Sequence, residues 1–267
     1  MTTVHARSVT TNIKFAYKDH KKKLHRLLRY FQYRNDKSSA EHVRQWDEFG
    51  QRVERWHDRG LGTQHHEILE NVLDLSTDTL KRDVGARLLV IGPEVSLMQA
   101  IDPDRRVDVL EELTEKTLDN WFERMDLPTP EYSYVVHESQ PSETRPNGRL
   151  KDEIQTEAYL HTHVVLAPTF AGVGHERELY KVYDKQVTWL HEAGRTAMKE
   201  IWEREIGMEQ FAELQMELSE RDIRQKELDR QYEQAELEKL FVQGPLHEQE
   251  TASPMSHAMD EGLELDE

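Results

Sequence analysis

The run Leu160-His161-Thr162-His163-Val164-Val165-Leu166-Ala167-Pro168 constrains this chain more than any other stretch. Its aliphatic and β-branched residues, closed by Pro168, predict a short buried strand. Side chains alternate along a strand, so His161 and His163 emerge on one face, roughly 7 Å apart along the chain. A second strand-like run, residues 132–138, reads Tyr-Ser-Tyr-Val-Val-His-Glu and carries His137. Paired in one sheet, the two runs would gather three imidazoles. Such a set can hold one metal ion and leave coordination positions open for a substrate oxygen. The chain has 14 histidines, so a His-x-His pair with a purely structural role fits the local spacing as well.

Composition removes several function classes. No apolar run approaches the roughly 18 residues of a membrane-spanning helix. The absence of cysteine excludes a disulfide framework, a thiolate nucleophile and a zinc ribbon. The first residues lack the apolar core of a signal peptide, and a cytoplasmic location is expected. The net charge of −17 looks hostile to nucleic acid, but it is unevenly spread. Residues 1–37 hold ten Lys/Arg against two acids, a balance of +8, whereas residues 208–267 hold five against seventeen, a balance of −12. A basic face for an anionic partner and a solvated acidic tail are compatible with that asymmetry.

Taken in order, residues 8–17 alternate loosely and predict a first strand. A helix follows over residues 21–33, capped by Asp19, with Leu24, Leu27, Leu28 and Phe31 as its apolar stripe. Lys21, Lys22, Lys23, Arg26 and Arg29 give it a basic face, and Arg34 follows. Tyr30 lies at the stripe's edge and Tyr33 largely off it. From position alone both are ordinary amphipathic tyrosines. A second helix is expected from Ser38 or Ser39 to about Asp58, with Trp46, Phe49, Val53 and Trp56 at helical spacing and Gly60 and Gly62 ending it. A short helical pattern surrounds Ile68 and Leu69. Residues 87–94 predict a buried strand. Asp104 is the expected cap of a helix carrying Leu110, Leu113, Trp121 and Phe122. A long polar loop, residues 139–156, joins the two histidine strands. After Pro168 come a strand at 178–183 and a helix from Asp184 to about Glu205, broken by Gly207. Residues 207–242 form a charged helical pattern too sparse in apolar positions for a coiled coil, suited to a protein partner or to self-association. Residues 243–267 have a disordered composition. Five strand-like runs among helices make this an α+β chain, with divisions at 1–206, 207–242 and 243–267.

The ordered set of motifs resembles the relaxases, the plasmid mobilisation proteins of the HUH single-strand endonuclease superfamily. The residues that carry the resemblance are Leu-Leu-Arg-Tyr-Phe-Gln-Tyr-Arg at 27–34, Leu-Val-Ile-Gly-Pro-Glu at 89–94, Tyr-Val-Val-His-Glu at 134–138 and Leu-His-Thr-His-Val-Val at 160–165. The resemblance spans roughly residues 8–206. It implies a central antiparallel sheet of about five strands flanked by helices. It further implies a divalent ion, Mg or Mn, held by His137, His161 and His163. Tyr30 matches the nucleophilic tyrosine of the first motif, with Tyr33 and Tyr17 as spares. The implied activity is site-specific nicking and rejoining of single-stranded DNA through a 5′-phosphotyrosine link, with Lys21, Lys22, Lys23, Arg26, Arg29 and Arg34 steering the strand.

Two other readings fit parts of the chain. Rolling-circle replication initiators place their tyrosine after the His-x-His strand, which would select Tyr180 or Tyr183, although both precede the expected cap at Asp184. A non-catalytic DNA-binding or scaffold protein would keep the fold without the cutting and act through its helical tail.

Overall fold

The computed structural model describes residues 9–17, 21–33, 44–46, 52–75, 84–139, 142–147, 150–155, 159–168 and 184–242. In chain order the elements are β1 (Val9–Tyr17), α1 (Lys21–Gln32), β2 (Arg44–Trp46), β3 (Arg52–Glu54), β4 (Trp56–Arg59) and α2 (His65–Asp74). Then come β5 (Val84–Pro93), α3 (Val95–Gln99), a 3-10 turn (Pro103–Arg105), α4 (Arg106–Arg124) and β6 (Tyr132–Ser139). The hairpin β7 (Ser142–Asn147) and β8 (Leu150–Gln155) precedes β9 (Tyr159–Leu166), and α5 (Asp184–Glu205) and α6 (Met208–Val242) complete the series. The chain divides into two compact units, Met1–Ile223 and Arg224–Glu267, and the division falls within α6.

The first unit is α+β. Its main sheet has the order β1-β5-β9-β6-β4, and every neighbouring pair in it is antiparallel. β9 is the middle strand, with β5 on one side and β6 on the other. Alternation divides the residues of β9 between two apolar layers. On one face, Val164 and Leu166 join Leu89, Ile91, Tyr134 and Val136 beneath α4 and α5, with Leu110, Leu113, Trp121, Phe122, Leu190, Ile201 and Trp202 above them. On the other face, Val165, Val135 and Leu88 meet Leu24, Leu28 and Phe31 of α1 and Ile68, Leu69 and Val72 of α2. Burial of each large aliphatic side chain contributes roughly 1.5–3 kcal/mol, so the two layers account for much of what orders the sheet.

Several polar groups inside these layers bond across elements. Trp121 Nε1 donates to the Gln186 carbonyl (2.9 Å) and Trp202 Nε1 to the Leu97 carbonyl (2.8 Å), which tie α4 to α5 and α5 to α3. Thr162, between the two histidines of β9, has its hydroxyl 2.9 Å from that of Thr114 on α4. Thr162 therefore faces α4, and its two neighbours face α1.

The helix expected over residues 38–58 is corrected where the structure describes it. Arg44–Trp46 and Arg52–Glu54 are short paired strands, and Trp56–Arg59 is an edge strand on β6. The spacing of Trp46, Phe49, Val53 and Trp56 imitates a helix. For Trp56–Arg59 the winning term is the open edge of β6, whose backbone groups need a partner. Trp56, opposite Val135, is buried in the α1/α2 layer. Gly60 and Gly62 thus close a strand. The Asp58 carboxylate accepts from both of their amides at 2.8 Å. Gly60 has φ +112°, and a Cβ there would lie 2.7 Å from Glu131 Cγ, so only glycine suits the turn.

Asp104 is not the cap ahead of α4. Asp102 accepts from the Asp104 amide instead, because Pro103 starts a 3-10 turn one step earlier. Part of the expected 139–156 loop is the β7–β8 hairpin. Asp19, Arg34, Ser38, Ser39, Phe49, the 178–183 strand with Tyr180 and Tyr183, and the 243–267 tail lie outside the described residues. Among the described residues, no helix is long and apolar enough to cross a membrane.

On the α4 face, the edge strand carries a titratable pair. The His57 ring stacks on Tyr134 (centroids 4.7 Å apart, 8° between planes), and its Nε2 lies 3.1 Å from Glu111 Oε1. Burial lowers His57 to about 4, with Arg55 and Arg59 adding to the shift. Burial raises Glu111 to about 7; Arg55 pulls the other way, while Asp108 and Glu115 reinforce the rise. Both shifts favour an uncharged pair, with the Glu111 carboxyl donating to the imidazole. Between pH 4.5 and 7, the unfolded chain releases the Glu111 proton while the folded chain keeps it. Stability from this group therefore falls as pH rises through that window. The Glu111→Gln protein keeps a donor for His57 but loses the titration. Urea unfolding from about pH 4.5 to 7.5 should show the wild type losing stability relative to Glu111→Gln. Parallel profiles would contradict the assignment.

Candidate metal centre

The three histidines meet because of strand register. In the β6–β9 pair, His137 stands directly opposite His161, and Val135 stands opposite His163. Directly opposed residues of an antiparallel pair share a face, and so do residues two apart. All three imidazoles therefore project from the α1/α2 side. One ligand nitrogen from each lies within 4.8 Å of the other two. His161 and His163 bring their Nε2 atoms to 3.2 Å. Two nitrogens that each sit about 2.1 Å from one ion would subtend about 100° at that separation, between octahedral and tetrahedral angles. The donor chemistry of the three suits a divalent ion, and the His161–His163 spacing allows both to reach one.

Helix α1 holds the rings in place. The buried Phe31 ring stacks on His163 (4.3 Å, 22°) and meets His137 edge-on (5.9 Å, 73°). The Phe31 carbonyl, near the C-terminal end of the helix, lies 3.1 Å from His137 Nε2. A carbonyl only accepts, so the neutral ring carries its proton on Nε2 and has its lone pair on Nδ1. This is the arrangement by which a backbone carbonyl orients a metal-binding imidazole. His137 is fully buried, His161 nearly so, and His163 partly exposed, so the cluster opens to solvent on the His163 side.

The next residue, Gln32, is also fully buried. Its amide donates to Gln64 Oε1 (2.6 Å), and its oxygen accepts from the His65 backbone amide (2.7 Å) and lies 3.0 Å from His65 Nδ1. Gln32 thereby fastens the end of α1 to the start of α2, and Phe31 cannot shift without disturbing that knot. Burial pushes His65 down to about 4, with His66, His25 and Arg29 adding to the shift, so it is neutral near pH 7.

The other expected site residues that the structure describes lie along α1, just past its end, and at the end of β1. Lys21, Lys22, Lys23, Arg26 and Arg29 are all exposed along α1. Tyr30 is 49% exposed and tilts against Phe31 (6.2 Å, 56°), one ring away from the histidines. Tyr33 is half-buried and meets His65 edge-on (5.5 Å, 76°). Tyr17 ends β1, paired with Val84. Phe31 reads in the sequence as one more core position, and Gln32, His25 and His65 carry no sequence signal at all. Their roles depend on which helix end meets which strand.

No protein-family model matches the chain, and no curated protein matches it. Among solved structures, it is similar to the MobM relaxase domain (MOBV; Mob_Pre) bound to a 23-nucleotide oriT DNA of plasmid pMV158, a Mn-bound crystal structure. The two are 13% identical over 72% of this chain and 84% of that one, with a TM-score of 0.43. A second structure of the same domain, bound to a 26-nucleotide oriT DNA, is 8% identical over 72% of this chain and 86% of that one, with a TM-score of 0.39.

The Phe31 stack is directly measurable. In a 1H–13C spectrum of the imidazoles, the ring protons of His163 should lie upfield of those of the exposed His66, because they sit over an aromatic face. Phe31→Leu keeps the apolar volume and should move the His163 signals downfield. An unchanged His163 position in a folded Phe31→Leu protein would contradict the geometry.

Proposed function

We propose that the chain is a relaxase-like nuclease of the HUH type, which nicks and rejoins single-stranded DNA in mobilisation of a DNA element. The observation that supports this best is the gathering of His137, His161 and His163 on neighbouring strands beneath a helix that carries a basic face and Tyr30, with Tyr33 just past its end. His137, His161 and His163 would hold Mg2+ or Mn2+, and a bound ion would supply positive charge to the scissile phosphate.

The remaining chemistry falls to the protein's own groups. Lys21, Lys22, Lys23, Arg26 and Arg29 would draw the strand onto α1, and Arg34 would extend that track. Tyr30 is the favoured nucleophile, since it is half exposed and adjoins the Phe31 ring that packs on the histidines. Its oxygen would attack phosphorus as the bond to the 3′ oxygen breaks. The phenol gives up its proton, and the departing oxygen gains one. A 5′-phosphotyrosine link results, and attack by a 3′ hydroxyl reverses it. Tyr33, turned toward His65, is the second candidate. Residues 1–206 would carry this activity, and the charged helix beyond would serve association with a protein partner or a second copy.

A single-stranded oligonucleotide library of random sequence with a 3′ label tests the nucleophile whatever the target sequence, because the 3′ fragment stays on the protein. With Mn2+ present, the wild type should acquire label that survives denaturing electrophoresis. Tyr30→Phe should lose it by about 100-fold or more, and Tyr33→Phe should keep most of it. Adduct formation undiminished in Tyr30→Phe would reassign the nucleophile. No adduct from any form would contradict the nuclease.

A further inference from the structure

The α1–α2 seam has more flat side chains on its surface than its packing needs. Leu24 and Leu28 meet Ile68, Leu69 and Val72 in the apolar layer below. Above that layer, at the rim, lies a run of rings. His25 and His65 are face to face (centroids 5.4 Å apart, 20° between planes). Tyr33 meets His65 edge-on at 5.5 Å, and His66 does so from another side at 5.5 Å. The Arg29 guanidinium lies 6.0 Å from the centre of the Tyr33 ring. His66 and Arg29 are exposed, and His25, His65 and Tyr33 are partly so.

The platform is rigid where it matters. His65 is held at its backbone amide and its ring by the buried Gln32, the residue next to Phe31, whose carbonyl and ring fix the histidine cluster. The flat surface and the cluster are thus set by consecutive residues of one helix end. Its surroundings are cationic: the exposed side chains of α1 are Lys21, Lys22, Lys23, Arg26, Arg29 and Tyr30, with no exposed aliphatic among them. Flat π-faces within a cationic track are what single-stranded nucleic acid uses, its phosphates following the charges and its bases stacking on the rings.

We propose that His25, His65 and Tyr33 form a stacking platform for a nucleobase of single-stranded DNA, a base flanking the phosphate that enters the histidine cluster. This rests on the nuclease reading above and adds to it a base-binding subsite separate from the cluster. It also gives Tyr33 a task other than attack on phosphorus.

The test is equilibrium binding of a fluorescent mixed-sequence single-stranded oligonucleotide, without metal, to the wild type, His65→Leu and His65→Phe. Both replacements lose the ring's bond to Gln32, so a difference between them reports the flat ring alone; thermal unfolding confirms that each is folded. His65→Leu should bind about fivefold or more weakly, the range of one lost base–ring stack, and His65→Phe should recover most of the loss. The slope of affinity against salt should be the same in all three proteins, since stacking releases no counterions. In oligonucleotides with one abasic position, the leucine penalty should vanish at one position. If the wild type binds and the leucine and phenylalanine forms bind equally, the platform is overturned while the nuclease reading stands. If the wild type does not bind single strands, both fall.

Discussion

The register of one strand pair governs the rest of the site. With His137 opposite His161, three imidazoles share a face and their nitrogens come within reach of one ion. A slip of one residue would send His137 to the α4 side and bring Val136 or Glu138 to the cluster. What prevents the slip is burial on both faces. Tyr134 and Val136 lock into the α4/α5 layer, and Val135 and Val165 into the α1/α2 layer. Thr162, anchored to Thr114 of α4 between the two histidines, pins β9 in the same register from the other side.

The two faces divide the labour. The α4/α5 face is thick, with two tryptophans bonded across helices, and it supplies rigidity. The α1/α2 cover is thinner and more polar. α1 buries only Leu24, Leu28, Phe31 and Gln32 and exposes its cations along the opposite side. Phe31 and Gln32 give that thinner cover its precision, since both the carbonyl on His137 and the clamp on His65 come from the last turn of α1. One helix thus carries a row of exposed cations, the half-exposed Tyr30 and the aromatic ring that packs on the histidines.

The parts of the fold legible in the sequence are those with a single dominant pattern. The histidine strands, α1 and α4 each show an unbroken period over a full element, and the shared face of His161 and His163 follows from alternation alone. The sequence around Trp46–Trp56 imitates a helix because four aromatic and aliphatic residues happen to fall at helical intervals, while the deciding influence on Trp56–Arg59 is the unpaired edge of β6, a tertiary fact. Asp104 lies two residues past Asp102, the cap of the 3-10 turn that leads into α4, because Pro103 already starts that turn. The site is partly legible in the same sense. Residue type and strand period nominate the three histidines, but nothing local says that Phe31 turns its carbonyl and its ring toward them, or that His25 and His65, 40 residues apart, lie face to face.

The proposed chemistry requires the three histidines to act as one ligand set, and thermal unfolding measures that with no DNA in the sample. Unfolding temperatures are recorded for the wild type and for His161→Ala/His163→Ala across a range of Mn2+ and Mg2+ concentrations. At about 100 times its dissociation constant, a bound ion should stabilise the wild type by about 2.7 kcal/mol, on the order of 5–10 °C for a unit of this size, and the double variant should not respond. A wild type indifferent to both ions, or a variant that shifts as much as the wild type, would contradict the metal centre and the nuclease built on it.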